Sequence, residues 1–194
     1  MRKLRIVAGR IASLLVFTYV LCFAPPKFVP AWAAETASLL GLLLLSVAAL
    51  GRVWCLVFIA GKKKDIVQTD GPYSIVRNPL YVFSLIGFVG FGLAVENPVL
   101  AVILGILFFA YYPFIVRREE KQLTKIFGEV YRDYSSKTPR WIPDFRLYRE
   151  PETVNVHTEK IREGILDAMW FIWAYFGWEA LEVLRELGIL PVIL

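Results

Sequence analysis

The chain has 194 residues, of which 57% are hydrophobic and 20% charged, with a formal net charge of +5. That apolar fraction exceeds what a soluble domain of this size carries, so the excess is expected to face lipid. The basic residues flank apolar runs, which makes lipid headgroups and topology a simpler account of the charge than nucleic acid.

Arg2, Lys3, Arg5 and Arg10 precede an apolar stretch from Ile11 to Ala24. Ala31-Trp32-Ala33 has the look of a signal-peptidase site, but segment one, Arg10 to Ala24, is read as a retained helix closed by Pro25-Pro26. Segment two runs from about Ala33 to Ala60 and stops at Lys62-Lys63-Lys64. Segment three starts at Pro79, a good first-turn position, and runs to Val95. Glu96-Asn97-Pro98 is a tight turn, and segment four runs from Val99 to Val116 with Pro113 as an expected kink. A polar region from Arg117 to about Glu163 follows, opening with Leu123, Ile126, Phe127 and Val130 at helix spacing. Segment five runs from Gly164 to Trp178 and then turns amphipathic, with Glu179, Glu182 and Glu186 on one stripe.

Four crossings at segments one to four put Arg2–Arg10, Lys62–Lys64 and Arg117-Arg118 on one side, which the positive-inside rule makes cytoplasmic. Within these runs Arg52 is an intramembrane charge, a functional-site hypothesis by default. The preferred reading of it is structural, an internal pair with Asp167 or Glu179 on segment five. Gly87, Gly90 and Gly92 are read as close helix packing. Cys22 and Cys55 lie in apolar runs and His157 is the sole histidine, so no disulfide framework, zinc site or thiol nucleophile is expected.

Two stretches carry chemistry. Gly71-Pro72-Tyr73-Ser74-Ile75-Val76-Arg77-Asn78-Pro79-Leu80-Tyr81 joins the cytoplasmic loop to segment three. Alone it reads as an interfacial anchor, with Arg and Tyr reaching headgroups. The second stretch begins Arg117-Arg118-Glu119-Glu120 and continues through Phe127-Gly128, Tyr131 and Tyr134 to Pro139-Arg140-Trp141-Ile142-Pro143. Alone, Glu119 and Glu120 read as a solvated helix start.

Together the two stretches, in this order and flanking a hydrophobic hairpin, closely resemble the isoprenylcysteine carboxyl methyltransferase family, which is related to membrane phospholipid methyltransferases. The resemblance covers roughly Gln68 to Pro143. Asn78 stands where that family usually has His; it hydrogen-bonds but does not titrate.

The resemblance implies S-adenosylmethionine as cofactor, with S-adenosylhomocysteine as product. It implies a cofactor site built from Val67, Gln68, Tyr73, Asn78, Pro79, Leu80, Tyr81 and Glu119, covered by Tyr131, Tyr134 and the turn with Pro139 and Ile142. Arg77, Glu119 and Glu120 are the catalytic candidates. Glu119 or Glu120 is expected to pair the cofactor ammonium, Arg77 or backbone amides to take its carboxylate, and Arg77 to hold a carboxylate acceptor with its two-pronged fork.

The expected protein is an all-α membrane bundle of about five transmembrane helices with a cytoplasmic cofactor-binding region. Residues 1–60 hold the first two helices, 61–163 the catalytic core and 164–194 a C-terminal helix. The expected reaction is O-methylation of the carboxylate of an isoprenylated cysteine or a similar lipophilic acid. A phospholipid N-methyltransferase is the second enzyme reading, and a non-catalytic scaffold or transporter-like bundle the third. The expected partners are membrane lipids and a prenyl or acyl substrate entering from the bilayer, with neither metal nor nucleic acid. The expected setting is a multi-pass protein with its N-terminus and active site cytoplasmic, in the cell membrane of a prokaryote or the endoplasmic reticulum of a eukaryote.

Overall fold

A computed structural model describes residues 30–62 and 65–189, so segment one lies outside the described residues. Among the described residues all regular structure is helical. The long helices are α1 (Ala31–Ile59), α3 (Pro79–Ala94) and α4 (Pro98–Phe127). The short α2 (Pro72–Ile75) precedes α3, and α5 (Glu129–Lys137) follows α4. A 3-10 turn at Phe145–Leu147 leads to α6 (Thr158–Ala168) and α7 (Trp170–Glu186).

Helices α1 and α4 are both long and apolar enough to cross a membrane, whereas the apolar α3 is shorter. Both long helices leave large apolar side chains exposed, such as Leu39, Leu43 and Leu50 on α1 and Val102, Ile106, Phe109 and Phe114 on α4. Apolar surface of that extent needs an apolar neighbour, and a bilayer supplies one.

Helix α3 is the centre, packed against α1, α4 and α7. Small residues permit the close approach. A Cβ on Gly41 of α1 would stand 2.2 Å from the Ala94 backbone nitrogen, and one on Gly92 of α3 would stand 2.3 Å from that of Ala101 on α4. One on Gly87 would enter the Phe171 ring at 2.5 Å, and one on Gly90 would stand 2.8 Å from Leu44, so the glycines of segment three do serve packing. The main core of Leu45, Ala48, Phe91, Ala94, Leu100, Leu104, Phe171 and Trp178 collects where these helices meet.

Turn chemistry follows the sequence at the hairpin. The Asn97 side chain accepts from the Leu100 backbone N–H at 2.9 Å, and Pro98 fills the first turn.

Two expectations need correction. Helix α4 does not end near Val116; it runs through Pro113 and Arg117 to Phe127 without a break. Thirty residues span about 45 Å at ~1.5 Å each, so its last turns project beyond a hydrocarbon core of about 30 Å. Glu119 and Glu120 are therefore mid-helix residues, not a helix start. Segment five is also not one helix, because α6 and α7 meet at Met169. The break carries no Gly or Pro signal. Beside it, Arg52 of α1 donates to the Asp167 carbonyl at 3.1 Å, placing a cation on an acceptor in the last turn of α6. Gly164 lies inside α6, so a division at 163/164 would cut a helix.

Candidate active site

The site is assembled by zipping two distant loops together. Gly71, at φ 58°, starts α2, and a Cβ there would strike the Phe58 ring at 2.4 Å. This lets the 71–77 stretch lie flat on α1. The later loop then pairs with it: Gly71 N–H donates to the Arg149 carbonyl at 2.8 Å, Arg77 N–H to Pro139 at 2.8 Å, and Asp144 N–H to Ile75 at 2.9 Å. The Ser74 hydroxyl, buried, donates to the Gly71 carbonyl and accepts from the Arg149 N–H. The Tyr134 hydroxyl donates to the Tyr73 carbonyl at 2.8 Å, tying α5 to the same stretch.

Beneath this roof lies a cavity of about 530 Å³, to which every one of the seven helices contributes. Its walls include Val67, Gln68, Tyr73, Arg77, Asn78, Pro79, Leu80, Tyr81, Glu119, Tyr131 and Tyr134. Of the sequence candidates, Glu120, Pro139 and Ile142 stand outside it. Ile142 is 81% exposed, and Pro139 contributes its carbonyl to Arg77. The cavity's other end is made by residues that the two motifs did not mark: Arg52, Ser84, Phe88, Tyr112, Asp167, Trp170 and Phe171. Of these, Arg52 carried a sequence signal as a charge within an apolar run, and Asp167 as one of its two expected partners. The aromatic residues sit in runs too rich in aromatics to single them out.

The two glutamates face different ways. Glu120 is buried and receives Arg140 through both guanidinium edge nitrogens, at 3.0 and 2.7 Å, with Arg77 at 3.2 Å. One carboxylate thus serves two guanidiniums, which leaves the cluster with a net positive charge. Asn78 makes only long contacts, 3.4 Å to Glu120 and to the Arg140 carbonyl. Glu119 instead lines the cavity and accepts from the Tyr81 hydroxyl at 3.0 Å. Arg140 was inside the recognised stretch without a role; its bond to Glu120 is visible only in three dimensions.

The phenols stay protonated. Burial raises the Tyr73 and Tyr134 hydroxyls well above the ordinary phenol range, and burial followed by the Glu120 charge pushes Tyr131 up to about 12. The Tyr73 hydroxyl and the Arg77 Nε are buried with no hydrogen-bond partner. Unsatisfied donors of this kind cost free energy unless a ligand completes them.

Arg52 is paired with Asp167, one of the two partners expected from sequence, at 2.7 Å, and its other terminal nitrogen donates to Ser84 at 2.6 Å. Cys55 is free and fully buried, whereas Cys22 lies outside the described residues. Among the described residues no three His, Cys, Asp or Glu side chains gather as a metal site would need.

Fold and site together define a helical membrane protein with a cavity of about 530 Å³ that charged and aromatic side chains line together. A family model described as phospholipid methyltransferase matches residues 39–130. The chain is 32% identical over 182 residues to the cobalt-zinc-cadmium resistance protein CzcN of Cupriavidus metallidurans, covering 92% of this chain and 84% of that protein. It is 35% identical over 160 residues to the nickel-cobalt-cadmium resistance protein NccN of Alcaligenes xylosoxydans xylosoxydans, covering 82% and 75%. It is 30% identical over 94 residues to the protein-S-isoprenylcysteine O-methyltransferase of Schizosaccharomyces pombe, covering 48% and 40%. No solved structure matches the chain. The chain belongs to the phospholipid methyltransferase family, within which the isoprenylcysteine methyltransferases fall.

Proposed function

We propose that the protein is an S-adenosylmethionine-dependent integral membrane methyltransferase that O-methylates the carboxylate of an isoprenylated cysteine or a similar lipophilic acid. The observation that carries this reading is the cavity of about 530 Å³ with Glu119, Tyr81 and Arg77 at its polar end and Phe88, Tyr112, Trp170 and Phe171 at its aromatic end.

The polar end suits the cofactor's charges. Glu119 would hold the cofactor ammonium, steadied by the Tyr81 hydroxyl. The net positive Arg77–Glu120–Arg140 cluster would hold its carboxylate through Arg77, whose buried Nε gains a partner. Tyr73, with its orphaned hydroxyl, and Tyr131 would wall the nucleoside. When bound, the cofactor supplies an electrophilic methyl group on a sulfonium.

A carboxylate nucleophile is already ionised at neutral pH, so this chain needs no general base for it. The protein's part is to align the acceptor and exclude water, which favours charge cancellation in the transition state. Asn78 fits this scheme, since it hydrogen-bonds without having to titrate.

The second reading, methylation of a phospholipid amine, is supported by the description of the matching family. An amine must first lose a proton, and Glu119 is the carboxylate in place to take it. The names of the two relatives that this chain covers most fully speak of metal resistance. If this chain shares that setting, it would act there by methylating a membrane component.

The topology that goes with this reading is a bundle of about five spans. Residues 10–24, outside the described residues, would supply the first, α1, α3 and α4 the next three, and α6 with α7 the last. The N-terminus, the 61–78 loop and the 117–163 region lie on the cytoplasmic side.

The test is methyl transfer from radiolabelled S-adenosylmethionine by purified protein, offered a farnesylcysteine analogue and phosphatidylethanolamine in parallel. Base-labile label on the farnesyl acceptor is the expected result. Label on the phospholipid amine would select the second reading. No transfer to either, with no binding of S-adenosylhomocysteine by calorimetry, would remove both.

A further inference from the structure

Arg52 is the one cation in α1, whose other charge, Glu35, lies towards the opposite end; it stands seven residues before the last residue Ile59, about 10 Å inside the helix end at ~1.5 Å per residue. An ion pair with Asp167 explains how the fold tolerates a charge there. It does not explain why this guanidinium lines the cavity, nor how incompletely it is used. Nη1 donates to Ser84 at 2.6 Å; Nη2 donates to the Asp167 carbonyl at 3.1 Å and to its carboxylate at 2.7 Å; Nε is buried without a partner.

Comparison with Arg140 makes the point. Arg140 gives both Nε and Nη2 to Glu120, whereas Arg52 gives Asp167 one of those two nitrogens. The Arg52 side chain is 12% exposed, but that of Asp167 is 80% exposed. A solvated carboxylate is held weakly by such a pair, because water competes for it. The guanidinium itself is fixed, by Ser84, by the Asp167 carbonyl and by the Phe171 ring, whose centroid lies 5.9 Å from Cζ.

We propose that Arg52 is the acceptor-positioning residue: it receives an oxyanion, carboxylate or phosphate, on the head of the lipophilic acceptor, and Asp167 holds that place until the acceptor displaces it. This deepens the reading above, on which it rests for the existence of a lipophilic acceptor. The two guanidiniums of the cavity then divide the work. Arg77, bound to Glu120, serves the polar end. Arg52 serves the end lined by Phe88, Tyr112 and Trp170, where an apolar tail would lie. An incoming oxyanion takes the whole Nε–Nη2 edge, satisfying the orphaned Nε, and Asp167 turns to solvent. Ser84 keeps the guanidinium in place throughout.

The test is equilibrium binding, without cofactor, of three amphiphiles sharing one tail: farnesol, farnesylthioacetic acid and farnesyl phosphate, in non-ionic detergent. Wild type should bind the two anions about tenfold or more tighter than the alcohol, the scale of one charge-assisted contact. Arg52→Gln should level the three, with alcohol binding unchanged, and Arg52→Lys should restore part of the preference. Asp167→Asn, at an exposed side chain, should tighten both anions about threefold or more by weakening the competitor. Whichever anion binds tighter identifies the headgroup. A preference that survives in folded Arg52→Gln overturns the proposal, as does anion binding that Asp167→Asn leaves unchanged or weakens. If Arg52→Gln does not fold, Asp167→Asn decides alone. Because no cofactor is present, failure of methyl transfer with the anion preference intact would count against the proposed reaction and not against this site.

Discussion

Glu119 and Glu120 are neighbours in sequence but not in environment. Successive helical residues point about 100° apart, so one enters the cavity beside Tyr81 and the other turns into the Arg77–Arg140 cluster. Their substitutions should therefore separate cleanly. Glu119→Gln should leave thermal stability near wild type and weaken binding of S-adenosylhomocysteine by about 2 kcal/mol, the scale of a charge-assisted hydrogen bond. Glu120→Gln leaves two guanidiniums short of a counter-charge and should cost about 2–3 kcal/mol of stability, the low side of a broken buried pair because the Arg140 side chain is 39% exposed. Calorimetry and thermal unfolding in detergent check both. The reverse pattern would exchange the roles of the two residues. The family resemblance singled out Glu119 for the cofactor, but nothing in residue order assigned Glu120 to the two arginines.

The elements were legible where one helix has its own punctuation. Pro79, the Glu96-Asn97-Pro98 turn and the basic cluster after residue 61 each mark a boundary that the structure keeps within a residue or two. Boundaries without such signals were misread. The apolar run of segment four ends at Val116, but the helix continues through Arg117 to Phe127. The break at Met169 carries no Gly or Pro, and the Arg52 contact beside it comes from more than one hundred residues earlier. Helix packing supplies the prediction at this scale. Gly41→Val and Gly92→Val would each drive a side chain into a facing backbone. Overpacking costs about 1–3 kcal/mol where neighbours can shift, and backbone shifts less readily than side chains. Each variant should lower the unfolding temperature measurably, whereas valine at Gly177, whose Cβ position meets nothing within 4 Å, should not.

At the scale of the whole molecule, the buried phenols link stability to pH. Tyr131 is raised from 10.0 to about 12, and Tyr73 and Tyr134 are raised too. Below about pH 10 these groups are neutral whether the protein is folded or unfolded, so their contribution is fully present. Above pH 10 the unfolded chain ionises first, and stability falls as pH climbs towards 12. Unfolding temperatures measured from pH 8 to 12 should decline above pH 10. Tyr131→Phe, which removes one of the titrating groups, should flatten part of that decline. A Tyr131→Phe profile parallel to wild type would show that the phenol is not the titrating group.

Composition and residue order by themselves pointed to the helices found among the described residues, to long apolar segments that seek a bilayer, and to two polar stretches on either side of a hairpin as the candidates for its chemistry. Those properties are local: hydropathy runs, turn residues and motif spacing are written along one dimension. Tertiary structure decided which glutamate enters the cavity, that Arg140 neutralises the other, that Pro139 and Ile142 stand outside the walls, and that Arg52, Asp167 and Ser84 meet at the aromatic end. Each of these depends on groups from separate helices approaching within hydrogen-bonding distance. Close approach of that kind is set by how small residues let α1, α3 and α4 pack, and no single segment encodes it.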